Sequence, residues 1–222
     1  LNLKKMLNCA NIFMYTKGTQ MKIILASQSP RRKEFLEKMG IEFEVCPSEF
    51  EEVKPDNIDI EQTALYFACQ KAQDVFDRTK GDRVVIGCDT TVVVGDNIYG
   101  KPKDNHDAFD MLKSYVNNYN KVISGLCVLV QKNDKVTKHT ANEITKVFVG
   151  DMSDKEIMDY VLTGEPFDKA GAYALQGKYN IFIDKVEGNV SSVIGLPTNK
   201  LLEIFRKENI KYFDFKNKGE TK

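Results

Sequence analysis

Residues 83–102 read RVVIGCDTTVVVGDNIYGKP. The apolar residues of this stretch predict a strand, residues 95–97 predict a turn, and the residues after the turn predict a short returning strand. Asp89 stands between apolar residues, and we expect it at or just past the end of the first strand. Open sheets commonly bind ligands at such strand ends, so this stretch connects the fold to a candidate site.

Helices and strands alternate on both sides of this stretch. Upstream, the spacing of apolar residues predicts strands at 21–26 and 41–47 and helices at 30–39 and 60–76. Downstream, the sequence predicts a helix capped by Asp104, strands at 121–131 and 135–149, a helix that starts with a Ser153–Glu156 capping box and ends near Gly164, a strand at 180–186 and a helix at 197–209. Interleaved helices and hairpins predict an α/β fold on a mixed sheet.

The charge and cysteine content exclude several classes of protein. Lys plus Arg equals Asp plus Glu at 32 each, so no overall field would hold the chain on nucleic acid or on an anionic membrane. Five cysteines without a C-x-x-C pair, together with two histidines, make neither a zinc site nor a disulfide framework and favour a reducing compartment. No apolar run approaches the roughly 20 residues that span a bilayer. We expect a cytoplasmic protein with neither nucleic acid nor membrane as a partner.

The length and hydrophobic content suit one domain. The 222 residues are 42% hydrophobic, and a chain of this size buries one good core. We expect that domain over residues 21–215, followed by a polar tail at 216–222. Residues 1–20 have an apolar stretch interrupted by polar residues, which is a poor match to a signal peptide. Since Met21 stands directly ahead of the first predicted strand, residues 1–20 are interpreted as an N-terminal extension outside the fold.

The octapeptide LASQSPRR, residues 25–32, connects the first strand to the first helix. A helix N-terminus offers unpaired N–H groups and the positive end of a dipole, which together bind anions. Ser27 and Ser29 add hydroxyl groups, and Arg31 and Arg32 could bind phosphate oxygens in pairs. A capped surface helix with two solvated arginines explains the octapeptide equally well, so both interpretations stay open.

Two charged residues of the stretch at 83–102 are further candidates. Asp89 must be paired, metal-bound or catalytic if it is buried, because an unpaired buried carboxylate is costly; the alternative is an aspartate that satisfies a turn. Lys101 precedes Pro102 after the predicted hairpin, which would fix its direction. Taken alone, Lys101 is also compatible with an ordinary surface lysine.

Three more features are open to a functional and a structural interpretation. Glu49, Glu51 and Glu52 lie within PSEFEEVKP, where they form either a solvated acidic loop or ligands for a divalent cation that shares substrate phosphates. Lys71 lies on the helix predicted at 60–76, and Gln176 lies in a glycine-rich turn. Either residue could contact a ligand or stabilise its own segment.

These features occur in one order that resembles a known family. LASQSPRR, the glutamate pair at 51–52, Lys71, DT at 89–90 and GKP are followed by DKAGAYALQG at 168–177 and VIGLP at 193–197. The order is similar to that of the Maf family of nucleotide pyrophosphatases over roughly residues 21–213. The resemblance implies a fold related to the inosine triphosphate pyrophosphatases, with an elongated mixed sheet, flanking helices, two lobes around a cleft and often a homodimer.

The resemblance also implies roles for individual residues. Asp89 would accept a proton, with Glu52 and Lys101 beside it in catalysis, and Glu52 and Asp89 would hold a divalent cation, Mg²⁺ or Mn²⁺. Substrate binding would fall to Ser27, Arg31, Arg32, Lys71, Thr90 and Gln176, of which Arg31, Thr90 and Gln176 match positions tied to substrate choice. Where many members have a histidine, this chain has Asn120, so no role of that histidine transfers.

The implied reaction is attack of water on the α-phosphorus of a nucleoside triphosphate, which releases the monophosphate and pyrophosphate. The sequence agrees in lacking a G-x-x-x-x-G-K-[ST] loop, a G-x-G-x-x-G turn and a G-x-S-x-G elbow. DKAGAYALQG resembles members acting on dTTP and UTP, whereas members preferring 7-methyl-GTP have Glu in place of the Gln. The alternatives are a 7-methyl-GTP pyrophosphatase, a nucleotide-binding regulator of septum formation without turnover, and a phosphatase that removes terminal phosphates.

Overall fold

The fold was determined from a computed structural model that describes residues 21–212. The predicted extension at 1–20 and the predicted polar tail at 216–222 lie outside these residues. No helix between residues 21 and 212 combines the length and the apolar character that crossing a membrane requires.

One mixed sheet organises the described chain. Its strands are β1 (Lys22–Leu25), β2 (Glu44–Val45), β3 (Arg83–Val94), β4 (Asn97–Tyr99), β5 (Asn118–Lys132), β6 (Lys135–Val149) and β7 (Ile183–Glu187). Their order is β2-β1-β3-β5-β6-β7, with β4 also paired to β3. β1 runs parallel to β2 and β3, and the remaining pairs are antiparallel. The predicted α/β fold on a mixed sheet is confirmed.

Within residues 21–212, six α-helices flank this sheet. They are α1 (Pro30–Lys38), α2 (Thr63–Arg78), α3 (Asn105–Lys113), α4 (Asp154–Val161), α5 (Val190–Ile194) and α6 (Thr198–Lys207). The predicted caps are present, because Asp104 accepts a hydrogen bond from the Asp107 N–H and Ser153 forms a capping box with Glu156.

The long strands run through two lobes. One apolar cluster, around α1, α6 and the beginning of β3, includes Leu36, Ile86 and Phe205. A second cluster, around α3, α4 and the end of β3, includes Leu112 and Ile157. Each lobe therefore has its own buried side chains, while the sheet joins them, which is the predicted two-lobed arrangement.

β3 has a gap along one of its edges. On that side β1 pairs with residues 83–86 and β4 pairs with residues 92–94. Within residues 21–212, the intervening residues 87–91 have no strand partner there, whereas β5 covers the opposite edge from Arg83 to Val93. The gap between β1 and β4 leaves the middle of β3 accessible from the side.

The prediction that Asp89 lies at or just past a strand end is wrong. β3 is 12 residues long, and Asp89 lies in its middle. The strand continues because β5 pairs with it along almost its whole length, even though β1 ends at Leu25. Asp89 still borders an open edge, since the unpaired part of β3 surrounds it.

Three other segments differ from the prediction. The strand predicted at 41–47 shrinks to the two residues of β2, and at 180–186 a 3-10 turn at Lys178–Phe182 precedes β7. β2 and β7 are the outermost strands in the order of the sheet, and each gains hydrogen bonds on one side only. The pattern of apolar residues therefore predicts longer strands than the structure has at these two edges. The five-residue helix α5 was not predicted, because its β-branched residues give no helical signal.

Helix α2 lies unusually close to the sheet. A Cβ at Gly87 would stand 2.3 Å from the Ala68 carbonyl oxygen, and a Cβ at Gly125 would stand 2.4 Å from the Ala64 backbone. Ala64, Ala68 and Ala72 are fully buried on the facing side of the helix. Small residues on both surfaces therefore set the distance between α2 and strands β3 and β5.

We expect Gly87→Ala to destabilise the protein by at least about 2 kcal/mol, because the new methyl group meets backbone that cannot rotate away. Gly100→Ala is the matched control, since a Cβ there meets nothing within 4 Å. Urea unfolding of both variants measures the difference. Equal stabilities would show that the close approach of α2 does not constrain the fold.

Candidate active site

A cavity of about 870 Å³ opens at the gap in β3. It lies between the N-terminus of α1, the loop before α2, the middle of β3 and the loop around residues 168–176. All nine residues selected from the sequence line this cavity: Ser27, Arg31, Arg32, Glu52, Lys71, Asp89, Thr90, Lys101 and Gln176. The structure therefore brings together residues that are up to 149 positions apart in the sequence (176 − 27).

Asp89, Lys71 and Glu52 form the innermost polar group. Lys71 projects from α2 and places its Nζ 2.6 Å from Asp89 Oδ1 and 2.6 Å from Glu52 Oε1. Asp89 is buried, with 6% of its surface exposed, while the Glu52 side chain is 52% exposed. One ammonium thus neutralises a buried carboxylate and also contacts a second carboxylate at the cavity surface.

The environment makes the Asp89 carboxylate a stronger base than a solvated one. Burial raises the pKa of Asp89, whereas the positive charges of Lys71 and Arg32 oppose that rise. A carboxylate of raised pKa beside a fixed cation in a cavity is typical of an acid–base group. The alternative of an aspartate that merely satisfies a turn is excluded, because Asp89 lies within a strand.

The N-terminus of α1 presents donors to the same cavity. Ser27 Oγ accepts hydrogen bonds from Arg32 Nη1 at 3.0 Å and from the Ser29 N–H at 3.2 Å. Arg32 Nε donates to the Gly195 carbonyl at 2.9 Å, so the guanidinium is held from two sides. The Ser29 side chain makes no capping hydrogen bond. This geometry favours an anion-binding helix terminus over a capped surface helix.

The remaining cations lie nearer the mouth of the cavity. Arg31 Nη1 is 3.8 Å from Asp168 Oδ2, and Asp168 is also paired with Lys169. Lys101 is exposed and makes no hydrogen bond or ion pair with another residue in the range 21–212. The Arg31–Asp168 contact is long and solvated, so a phosphate group could replace Asp168 at little cost.

Thr90 and Gln176 lie in different settings. Thr90 Oγ1 is 2.8 Å from Ser124 Oγ, which donates to the Ser192 carbonyl at 2.7 Å. Gln176 is exposed, and its side chain has no hydrogen-bond partner within the described part of the chain. The interpretation that Gln176 ties down its own turn is therefore not supported, and its amide is available to a ligand.

Of the three glutamates in PSEFEEVKP, only Glu52 lines the cavity. The Glu49 side chain lies 3.5 Å from Arg78 Nη1, and its N–H donates to Asp74 Oδ2 at 2.9 Å. Arg78 Nη2 also donates to the Pro47 carbonyl at 2.8 Å. Glu49 thus helps to fasten the loop that carries Glu52 to α2.

Three cavity residues were missed from the sequence. Asp168, Lys169 and Tyr173 line the cavity and lie within DKAGAYALQG, in which the sequence predicts only Gln176 as a site residue. Adjacent opposite charges ahead of a glycine-rich turn were the available signal. The Tyr173 hydroxyl donates to Asn120 Oδ1 at 2.8 Å, so Asn120 supports the cavity wall through Tyr173.

The fold and the cavity define the class of protein. Five cationic side chains (Arg31, Arg32, Lys71, Lys101, Lys169) and three carboxylates (Glu52, Asp89, Asp168) line one cleft of an α/β domain, which suits a phosphorylated ligand. The family described as "Maf-like protein" matches residues 22–208, and the chain belongs to this family.

Curated relatives match nearly end to end. A dTTP/UTP pyrophosphatase of Aquifex aeolicus is 43% identical over 86% of this chain and 97% of its own length. Another from Thermoanaerobacter sp. (strain X514) is 40% identical over 85% and 97%, and one from Alkaliphilus oremlandii is 42% identical over 83% and 94%. A solved structure, a nucleoside-triphosphatase / dITP/XTP pyrophosphatase from Mycobacterium abscessus, covers 85% of this chain and 98% of its own with a TM-score of 0.38 and 15% identity.

Proposed function

We propose that this protein is a nucleoside triphosphate pyrophosphatase that hydrolyses dTTP and UTP to the monophosphate and pyrophosphate. The observation that carries the proposal is the Asp89 carboxylate, which is buried 2.6 Å from Lys71 in a cavity lined by five cationic side chains. The names of relatives at about 40% identity support the same activity. We assign this activity to the domain proposed over residues 21–215.

Binding of the triphosphate uses charge and fixed geometry. Arg32 is already oriented by Ser27 and Gly195, so it loses little conformational freedom when it contacts a phosphate oxygen. The N–H groups at the start of α1, together with Arg31 and Lys101, neutralise further phosphate charge. Such positioning and neutralisation account for most catalysis of phosphoryl transfer.

Asp89 acts as the general base. It accepts a proton from the water that attacks the α-phosphorus, while the bond between the α-phosphorus and the bridging oxygen to the β-phosphorus breaks. The leaving pyrophosphate takes the electron pair of that bond and is stabilised by the cations of the cavity. Lys71 keeps Asp89 ionised before the proton is transferred, because the ammonium lies within hydrogen-bond distance of the carboxylate.

A divalent cation, Mg²⁺ or Mn²⁺, fits the carboxylates of Glu52 and Asp89. Their nearest oxygens both lie 2.6 Å from Lys71 Nζ, so the ammonium occupies the point between them and the ion would use the other oxygen of each carboxylate. Such ions combine one or two carboxylates with substrate phosphates. No cluster of three or more His, Cys, Asp or Glu residues within positions 21–212 could hold a metal. The ion would therefore need substrate and water oxygens as further ligands, and when bound it would neutralise phosphate charge.

Gln176 is the residue proposed to read the base. Its amide both donates and accepts hydrogen bonds, which matches the adjacent carbonyl and N–H groups of uracil and thymine. A carboxylate at this position would suit a cationic methylated purine better. Since its side chain is free of partners among the described residues, the amide can turn to meet the base edge.

The test of the activity is incubation with dTTP, UTP, 7-methyl-GTP, ATP, GTP and CTP in the presence of Mg²⁺ or Mn²⁺. We expect pyrophosphate from dTTP and UTP in preference to 7-methyl-GTP. Release of orthophosphate instead would identify a terminal phosphatase. Tight binding without any product would identify a nucleotide-binding regulator.

Asp89→Asn should reduce kcat by at least about 100-fold, because the variant keeps the shape of the side chain and loses its basicity. Binding of a non-hydrolysable UTP analogue and the melting temperature should stay near wild-type values. Asp56→Asn, in an exposed loop, is the matched control. Near-normal turnover by Asp89→Asn would rule out Asp89 as the base, and loss of folding would make its role structural.

Arg31→Lys and Arg32→Lys should each lower kcat/KM by at least about tenfold, or some 1.4 kcal/mol, since lysine lacks the planar fork. For Arg32 the reason is specific, because one ammonium cannot contact Gly195, Ser27 and a phosphate in the same geometry. Arg206→Lys on α6 is the control. Steady-state kinetics with UTP measure kcat/KM for each variant. An unchanged kcat/KM in both Arg31→Lys and Arg32→Lys would show that the arginines do not bind phosphate.

Gln176→Glu should lower kcat/KM for dTTP and UTP more than for 7-methyl-GTP, because the carboxylate loses the donor that a pyrimidine carbonyl needs. Gln62→Glu, exposed at the start of α2, adds the same charge away from the cavity. A proportional loss on all three substrates would mean that Gln176 does not discriminate between bases.

A further inference from the structure

We propose that Glu165 is a positioning residue that fixes the turn carrying Gln176 and so sets the selectivity for the base. This inference rests on the proposed function. Glu165 lies outside every motif used to select the site and does not line the cavity. Its carboxylate acts on Gln176 through the backbone of Gly177 and Lys178, the two residues that follow Gln176.

The Glu165 carboxylate holds the end of this turn directly. Its Oε1 accepts the Lys178 N–H at 3.1 Å and its Oε2 accepts the same N–H at 3.2 Å. Oε1 also accepts the Tyr160 hydroxyl at 3.0 Å. Tyr160 belongs to α4 and is 4% exposed, so the carboxylate links the turn to a buried part of the second lobe.

The Glu165 carboxylate packs closely against Gly177, the residue between Gln176 and Lys178. A Cβ at Gly177 would stand 1.8 Å from Glu165 Oε1, a separation that no side chain permits. Glycine therefore lets the carboxylate keep this position, whereas a side chain at 177 would displace it. The contact fixes the backbone of the residue that follows Gln176.

The other flank of the turn is fastened as well. Asn180 Nδ2 donates to the Leu175 carbonyl at 2.8 Å, and the Gly177 N–H donates to the Ala174 carbonyl at 3.0 Å. The backbone on both sides of Gln176 is thus held, while the side chain of Gln176 has no partner within residues 21–212. A fixed backbone with an uncommitted amide is the arrangement that directional recognition of a ligand requires.

The Tyr160 phenol is suited to remain a donor. Burial raises the pKa of Tyr160, and the neighbouring negative charge of Glu165 raises it further. The phenol is therefore protonated at neutral pH and donates to the carboxylate. The two residues form a pair in which the Tyr160 hydroxyl donates and the Glu165 carboxylate accepts.

Glu165 also contacts the phosphate-binding side of the cavity, but through its backbone. Lys169 Nζ donates to the Glu165 carbonyl oxygen at 2.8 Å, and a side-chain substitution leaves that bond in place. Variants at Glu165 should consequently disturb the turn with Gln176 without releasing Lys169. Loss of the carboxylate should raise KM and reduce selectivity, while kcat, which depends on Asp89 in β3, changes little.

The experiment compares Glu165→Ala, Glu165→Gln and Tyr160→Phe with wild type on UTP and GTP. We expect Glu165→Ala to raise KM for UTP by about tenfold and to lower the ratio of kcat/KM for UTP over GTP by a similar factor. Glu165→Gln keeps one acceptor oxygen and should recover part of the loss. Glu203→Ala, on the exposed face of α6, is the matched control.

Gly177→Ala supplies an independent test of the contact. Alone it should lower selectivity as Glu165→Ala does, because the methyl group displaces the carboxylate. In the Glu165→Ala background it should add little, since the clashing atoms are gone, and the two changes should be strongly non-additive. Hydrogen exchange at the Lys178 N–H should accelerate in Glu165→Ala and stay unchanged in Glu203→Ala.

The outcomes separate this inference from the proposed function. An active wild type whose selectivity and KM survive Glu165→Ala overturns the inference alone. A fall in melting temperature or in kcat at unchanged selectivity likewise shows a merely structural role and overturns it. A wild type that releases no pyrophosphate from UTP or dTTP overturns the proposed function and, with it, the inference.

Discussion

The pairing of Lys71 with Asp89 is the interaction on which the rest of the site depends. A carboxylate buried in the middle of a sheet is stable only with a compensating charge, and removal of Lys71, which would leave the Asp89 charge unpaired, typically costs about 3–5 kcal/mol. Lys71 supplies that charge at 2.6 Å because α2 packs very closely against the sheet, at positions where the strands have glycines. Gly87, two residues before Asp89, is one of the positions at which the helix approaches most closely. The packing of small residues and the chemistry of the cavity are thus consequences of one geometric requirement.

The second requirement is access to the same carboxylate. A fully paired strand would bury Asp89 beyond the reach of substrate, but β1 ends at Leu25 and β4 begins its pairing only at Val92. LASQSPRR follows β1 at the point where it leaves the sheet, so the turn that opens the gap also carries Ser27, Arg31 and Arg32, which are proposed to bind phosphate. The mixed sheet therefore combines a rigid floor, supplied by β5, with an opening that two short neighbours leave between them.

Short sequence patterns predicted those features of the fold that depend on neighbouring residues, such as helix caps. The capping box at Ser153 and the cap at Asp104 involve residues three positions apart, and both were visible in the sequence. The position of Asp89 within β3 was not, because the length of that strand is set by its pairing with β5, about 40 residues further along the chain. The hydrogen bond from Arg32 to the Gly195 carbonyl joins residues 163 positions apart, and the spacing of apolar residues in the sequence cannot predict such a contact. The resemblance to a family indicated which residues belong to the site, whereas the contacts of each residue are visible only in the structure.

The cavity separates chemistry from recognition. Asp89 and Lys71 lie on a long strand and on a helix packed against it, where neighbouring backbone restricts movement. Gln176 lies in a turn that belongs to the second lobe and is fastened by hydrogen bonds to Glu165 and Asn180. Because the two parts of the site share no hydrogen bond among the described residues, a change in the turn could alter the proposed selection of the nucleobase without disturbing Asp89, the proposed general base. Such an arrangement would let the sequence of the turn, and with it the nucleobase that is accepted, change while the strand and helix keep the reaction the same.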